Sequence, residues 1–379
     1  MKTIYADNSS TSFPKAPGMS NAIKSFFDNT GANINRGGYA SSYATASEIF
    51  KCRKVLADFF NAASPRNVIF TPGITYSLNM LLKGFLKPND HVITTSMEHN
   101  GLMRPLYDLA QKGVDYCIAQ CNPDGSLSPN AIKELIKPNT ALVVINHASN
   151  VCGTVFPICE VAKICKNAGV RIIIDSAQTA GFLPIDASHF DAVAFTAHKG
   201  LLGPQGLGGF VISDSFAKEV LPIISGGTGS ASNELAQPNF LPDKFEPGTL
   251  NIPAIIGLKA SLEYIEQIGI DTIFKKKMKL TKQFLEGLKL IDGISIIGIS
   301  NIAVVSIIFL HMDNAEAADM LDTKYGIMTR CGLHCSATSH KTLGTYPHGT
   351  VRFSFGHFNT QDEIDCILSA VKEVASYGF

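Results

Sequence analysis

The sequence predicts an α/β protein: a mostly parallel sheet covered by helices, followed by a smaller C-terminal α+β domain. Three observations carry this expectation. Apolar runs of strand length alternate with helical patterns from about residue 67 to residue 212, and the central runs are apolar at every position, as in strands buried on both faces. At 379 residues the chain exceeds what one hydrophobic core usually serves. Apolar residues make up 45% and charged residues 17%, enough for a large core and too apolar for extended disorder. The expected division is a large domain at 16–252, a small domain at 253–379, and an arm at 1–15 near the site.

In chain order, the polar arm ends at Phe13 and Pro14, and a helix is expected over 22–27. The stretch 33–39, with Arg36, Gly37 and Gly38, reads as a loop. A strand at 67–70 then meets the turn Thr71, Pro72, Gly73 and an amphipathic helix over 75–86 with Leu78, Leu81, Leu82 and Phe85 on one face. A glycine turn feeding a helix N-terminus presents free N–H groups to an anion, with Gly73, Ile74 and Thr75 as the candidates; alone it reads equally well as a helix cap. Strand 91–95 leads into Glu98 and His99, strand 114–118 into a turn at 122–125, and a helix is expected over 129–136. Strand 140–145 is the most strand-like run of all, and helix 158–168 closes on Gly169. Two further strands end on Asp175 and Thr196, and 210–212 reads as another.

Residues 225–249 carry Gly226, Gly227, Gly229, Pro238, Pro242 and Pro247, a loop far longer than ordinary connections. Beyond it come a helix from about 253, a basic stretch at 275–277 read as a solvated helix face, strand 303–310, helix 315–323, strand 350–355 and a last helix through 375. No G-x-G-x-x-G opens a helix after the first strand, which argues against a dinucleotide-binding fold.

Lys plus Arg and Asp plus Glu both total 32, so net charge points to no nucleic-acid or anionic-membrane partner and leaves a small-molecule substrate. No apolar run approaches the roughly 18 residues of a membrane helix, and the N-terminus lacks a signal-peptide pattern, so a cytoplasmic location is expected. The nine cysteines are an odd number in a long chain, which fits reduced thiols rather than a disulfide framework; Cys117 with Cys121 and Cys331 with Cys335 are each four apart, but no comparable His or Cys pair completes a tetrahedral metal site.

The chemistry centres on Phe195, Thr196, Ala197, His198, Lys199 and Gly200. Alone, a lysine after a histidine is usually a solvated surface residue. Here it stands between a buried strand and a glycine turn, where a pyridoxal phosphate enzyme keeps its Schiff-base amine, and Asp175 ends a neighbouring strand. A carboxylate there can hold the proton on a pyridinium nitrogen, which the ring needs to act as an electron sink. With Lys199 and Asp175 in place, further motifs fall into line: Asp7-Asn8-Ser9-Ser10-Thr11, Met97-Glu98-His99, Asn146-His147-Ala148-Ser149-Asn150, Asp175-Ser176-Ala177-Gln178, Phe245-Glu246-Pro247-Gly248-Thr249, Arg330-Cys331-Gly332-Leu333-His334-Cys335 and Thr350-Val351-Arg352-Phe353-Ser354.

These motifs resemble, nearly end to end, the class V aminotransferase family of pyridoxal phosphate fold type I, on its cysteine desulfurase and selenocysteine lyase branch. The resemblance implies pyridoxal 5'-phosphate on Lys199, with Gly73, Ile74, Thr75, Thr196 and His198 at the phosphate, His99 stacked on the ring, and Asn150 and Gln178 at the phenolic oxygen. It implies that Thr249 contacts the cofactor of the other subunit in a homodimer, that the arm lines the site mouth, and that 33–39 lies at the substrate entrance. Arg352, helped by Arg330 and Asn150, would hold the carboxylate of L-cysteine or L-selenocysteine. Cys335 would accept the sulfur as a persulfide for an acceptor protein, with alanine released and His334 influencing the thiolate. Tyr76 stands where the family often has an acidic residue, and Cys331 has no assigned part. Three other readings stay open: a selenocysteine lyase, a transaminase or epimerase that does not use Cys335, and a non-catalytic pyridoxal phosphate-binding protein.

Overall fold

The computed structural model describes residues 3–35 and 37–377; Arg36, in the stretch expected at the substrate entrance, lies outside the described residues. The first half of the chain runs β1 (Ile4–Tyr5), α1 (Met19–Asn29), α2 (Ala40–Phe59), β2 (Val68–Thr71), α3 (Ile74–Phe85), β3 (His91–Thr95), α4 (Asn100–Ala110), β4 (Asp115–Ala119) and α5 (Pro129–Lys133). It continues through β5 (Thr140–Asn146), α6 (Ile158–Ala168), β6 (Arg171–Asp175), β7 (Ala192–Thr196), β8 (Gly208–Ile212) and α7 (Asp214–Glu219). The remainder is α8 (Ile252–Ile268), α9 (Ile270–Leu288), β9 (Ile294–Ile297), β10 (Val304–Phe309), α10 (Asn314–Tyr325), β11 (Ile327–Met328), β12 (Arg330–Gly332), α11 (Ala337–Thr342), β13 (Thr350–Ser354) and α12 (Gln361–Ser376).

The larger sheet has seven strands in the order β2-β8-β7-β6-β5-β3-β4. All run parallel except β8, which is antiparallel to both its neighbours, so the other strands end on one common edge. Alternation explains the two covering layers. Val143, Ile145, Ile174, Val193 and Phe195 pack on α2, α6 and α8, while Leu142, Val144, Ile173 and Ala194 pack on α3, α4 and α7. Both faces are buried, which is why these strands read as unbroken apolar runs. Helix α6 ends at Gly169 in the left-handed region (φ 69°), as its sequence suggested.

The second sheet is antiparallel, β12-β13-β10-β9, and its outer face packs on α9, α10 and α12 through Phe284, Leu321, Ile364, Ile367 and Val371. A capping box starts α12: Thr360 and Glu363 each accept the other's backbone N–H at 3.3 Å. The arm belongs to this unit. Strand β1 pairs with β11, and Asp7 bridges to Ser354.

Three sequence expectations are corrected. The loop around 33–39 leads into a helix, α2, that was not anticipated, and α5 stops at Lys133 rather than 136. The basic stretch is not uniformly solvated: Lys277 turns inward, 3.5 Å from the centroid of the Phe182 ring, and burial lowers it to about 7. Among the described residues no helix is long and apolar enough to cross a membrane.

The turn after Lys199 is set by a close backbone approach. A Cβ on Gly181 (φ 105°) would lie 2.1 Å from the Gly200 carbonyl oxygen, and one on Gly200 would lie 2.3 Å from that of Ala180. Gly181→Ala is therefore expected to cost about 3 kcal/mol through overpacking and left-handed strain, read as a lower thermal midpoint. An unchanged midpoint would contradict this packing.

Candidate active site

The shared strand edge gathers the chemistry. Strand β2 leads into Gly73 and α3, β3 into Glu98 and His99, β5 into Asn150, β6 ends at Asp175, and β7 delivers His198 and Lys199. This is the edge where open α/β sheets place ligands.

Gly73 N-caps α3, with its carbonyl accepting from the N–H groups of Tyr76 (3.0 Å) and Ser77 (3.2 Å). The first turn thus forms with tyrosine at position 76, whose side chain is exposed. A Cβ on Gly101 would lie 3.0 Å from His99 Nδ1 and 3.6 Å from Thr75 Oγ1, so Thr75 and His99 flank the start of α4.

Lys199 keeps part of its surface open to the cleft, yet its ammonium is enclosed enough that burial lowers it to about 8, with Asp175 opposing and Arg352 and Arg330 adding to the fall. Burial raises the Asp175 carboxyl, although the Ala177 N–H donates to Oδ1 at 2.8 Å and Lys199 favours its anion. His99 is held down to about 4 by burial, then by Lys199 and the nearby arginines. Its Nδ1 accepts the Gly101 N–H at 2.9 Å, which leaves the ring proton on Nε2. His198 is also lowered to about 4, by burial and then by Lys199 and Lys15, and its buried Nδ1 has no hydrogen-bond partner.

From the other sheet, Arg352 is 1% exposed. Its Nη2 donates to Asp7 Oδ1 (2.7 Å) and Ser10 Oγ (3.0 Å), its Nη1 to the Asn150 carbonyl (2.9 Å), and its buried Nε has no partner. Arg352 is thus an interior ion pair rather than a surface one. Arg330 donates to Ser10 Oγ and, at 3.2 Å, to Cys335 Sγ.

Cys335 is exposed, on a turn whose residues His334 (φ 49°) and Cys335 (φ 58°) are both left-handed. Non-glycine residues avoid that region by roughly 1–2 kcal/mol each. Three hydrogen bonds to the larger sheet hold the turn there: Asn150 Nδ2 donates to the His334 carbonyl (2.8 Å), the Asn100 N–H to the Cys335 carbonyl (2.7 Å), and Ser336 Oγ to the Glu98 carbonyl (2.5 Å). His334 Nε2 meets Thr350 Oγ1, which donates to Ser306 Oγ, which donates to the Val151 carbonyl. That chain of donors fixes the His334 proton on Nε2. Burial holds the imidazole neutral, well below its ordinary range.

The candidate residues fall into one group with exceptions. Gln178 Nε2 donates to the Ser9 carbonyl of the arm (3.2 Å), and Asn150 Oδ1 is buried without a partner. Buried Thr196 ends β7. Thr249 stands apart and exposed, on a loop anchored when Glu246 accepts both Nη atoms of Arg53 and the Phe70 N–H (2.6 Å). Cys331 lies against the outer core of the second sheet, where burial raises its thiol.

Glu98 had no expected role. It is fully buried and pushed up to about 8 by that burial, accepting from Thr95 Oγ1 (2.6 Å) and the Asn146 N–H, so it ties the ends of β3 and β5 together beneath the Cys335 turn. An acid directly after an apolar strand was the available signal.

These groups fit pyridoxal phosphate chemically: an amine near neutrality, a buried carboxylate beside it, a neutral imidazole, and a helix N-terminus with an orphaned His198 Nδ1 for the phosphate.

A family model described as aminotransferase class-V matches residues 4–367. A probable cysteine desulfurase of Methanothermobacter thermautotrophicus is 32% identical, covering 99% of this chain and 95% of its own length. A second, from Pyrococcus abyssi, is 33% identical over 98% of this chain and 94% of its own. The solved apo structure of the cysteine desulfurase of Thermococcus onnurineus aligns with a TM-score of 0.92 at 31% identity, covering 99% of this chain and 95% of that one. With strand ends, second-sheet arginines and matched span in agreement, the chain belongs to the class V aminotransferase family.

Proposed function

We propose that this protein is a pyridoxal phosphate-dependent cysteine desulfurase that converts L-cysteine to L-alanine and keeps the sulfur on Cys335. The observation that carries this reading is the exposed Cys335 thiol, held by a strained, docked turn with Arg330 Nη2 3.2 Å from its sulfur. A transaminase or epimerase has no use for a thiol so positioned. The relatives named as probable cysteine desulfurases support the same choice.

When bound, the cofactor supplies an electron sink for charge developing at the substrate Cα. Lys199 would hold it and take the proton from the substrate Cα; the burial that lowers its amine to about 8 in the empty site favours the neutral form such a base needs. Asp175 would keep the ring nitrogen protonated, and His99, neutral with Nε2–H, would stack on the ring and donate from its edge. Gly73, Ile74, Thr75, Thr196 and His198 would hold the phosphate, and Asn150 and Gln178 would face the phenolic oxygen. Arg352, whose buried Nε lacks a partner, would orient the substrate carboxylate, assisted by Arg330 and Asn150.

Sulfur transfer then balances without an outside oxidant. The Cys335 sulfur, with Arg330 Nη2 3.2 Å away, would attack the substrate sulfur as the thiolate; an S–S bond forms, the Cβ–S bond breaks, and its electron pair stays with the carbon that is protonated to alanine. The exposed turn lets an acceptor protein or thiol collect the persulfide. Selenium leaves more readily than sulfur, so L-selenocysteine would depend less on the thiol.

The functional unit would be a homodimer. Tyr43 and Phe50 on α2 and Leu235 and Phe240 on the long loop are exposed apolar side chains that a second subunit would cover, and Thr249 lies on the same loop.

Three outcomes follow. The rate at which apo-protein captures pyridoxal phosphate should rise with pH and level off above about 8, because the Lys199 amine is then neutral, and Lys199→Ala should lack the Schiff-base absorbance. Continued rise toward the ordinary lysine range, about 10.4, would show an unperturbed amine. Cys335→Ala should lose most alanine formation from cysteine, by roughly 100-fold, while keeping substantial turnover of selenocysteine and unchanged cofactor binding; undiminished cysteine turnover would favour the transaminase-like reading. Light scattering should give twice the chain mass, and a fully active monomer would refute the dimer.

A further inference from the structure

The amine and the arginines that would act on one substrate sit on different sheets, and residues 7–15 touch both. At one end Asp7 and Ser10 bind Arg352, Ser10 also receives Arg330, and the Ser9 N–H donates to Ser354 Oγ at 2.8 Å. At the other end the arm converges on one atom, the carbonyl oxygen of His198, whose carbon is bonded to the backbone nitrogen of Lys199. Four donors reach that oxygen: the Ser12 N–H (2.8 Å), Lys15 Nζ (2.9 Å), Thr11 Oγ1 (3.0 Å) and Ser12 Oγ (3.1 Å).

Lys15 directs this cluster. An ammonium has three protons and no acceptor, and Lys15 Nζ has three oxygen partners: His198 O, Thr11 Oγ1 (3.0 Å) and Ser12 Oγ (3.2 Å). Because Lys15 can only donate, both hydroxyls accept from it and turn their own protons to His198 O. The ammonium is half-buried, and that burial lowers it to about 8. Desolvating an ammonium is costly unless all its protons are bonded, so the arrangement holds together as one unit.

We propose that residues 7–15 act as a ruler that sets the separation between Lys199 and Arg352, and that Lys15 is the positioning residue pinning its Lys199 end. The proposal rests on the desulfurase reading for the identity of the substrate, but not for the clamp itself.

The test uses the holoenzyme and Lys15→Met, which keeps an apolar stem and removes all three donors. A charge-assisted hydrogen-bond cluster of this kind is worth about tenfold or more. The amide of Ser12, which donates to His198 O, should lose about tenfold or more of its hydrogen-exchange protection, while β7 amides keep theirs. KM for L-cysteine should rise about tenfold at an unchanged thermal midpoint. Asp7→Asn should also raise KM, and the double variant should be no worse than the poorer single one, because both cut the same strap. A lysine with a merely structural role would leave the two effects multiplicative. If Lys15→Met does not fold, Thr11→Val, which removes one acceptor of the pin, should shift Ser12 protection and KM in the same direction by a smaller factor. Wild-type protection at Ser12, or multiplicative effects on KM, would overturn the proposal. If the wild type does not turn over cysteine, the desulfurase reading fails, and the exchange of Ser12 still decides the clamp.

Discussion

The structure depends on a seam. One sheet carries Lys199, Asp175 and His99, the other carries Arg330, Arg352 and Cys335, and the second is held over the strand ends of the first. The hydrogen bonds from Asn150, Asn100 and Ser336 do this through main-chain carbonyls at His334, Cys335 and Glu98. They are strong enough together to hold two adjacent residues in a left-handed conformation that side chains otherwise avoid. Glu98 lies under the same seam, binding the ends of β3 and β5, and its burial without a cation keeps it from acting as a free charge there.

Burial also organises the electrostatics. The enclosure that lowers Lys199 raises Asp175, and the two are near enough to moderate each other. The arginines add positive potential over the amine, which favours its neutral form. Keeping His99 and His198 neutral avoids piling further positive charge beside Lys199.

Much of this was legible in the sequence, and for physical reasons. Strands buried on both faces are unbroken apolar runs, so β5, β6 and β7 declared themselves, and their ends located Lys199 and Asp175. Helix α2 was hidden because its hydrophobic pattern is weak: aromatic Tyr43 and Phe50 lie on its exposed side while Thr45, Cys52 and Arg53 are buried. The inward turn of Lys277 is not legible in the sequence because charge runs are usually solvated, and only the packing of α9 reveals the Phe182 ring beneath it. The contact between Arg330 and Cys335 was equally invisible, since it depends on how the turn between them folds back. The resemblance places the arm at the site mouth, but its individual contacts are not legible in the sequence, because its partners His198, Ser354 and Arg352 lie far along the chain.

In the proposed function Cys335 receives the substrate's sulfur. Mass spectrometry of the holoenzyme after a single turnover with L-cysteine, without any acceptor thiol, addresses it directly. One added sulfur atom is expected on the peptide containing Cys335, removed by a reducing thiol, with one alanine formed per site. Alanine formed while that peptide stays unmodified, or sulfur found on Cys331 instead, would contradict it.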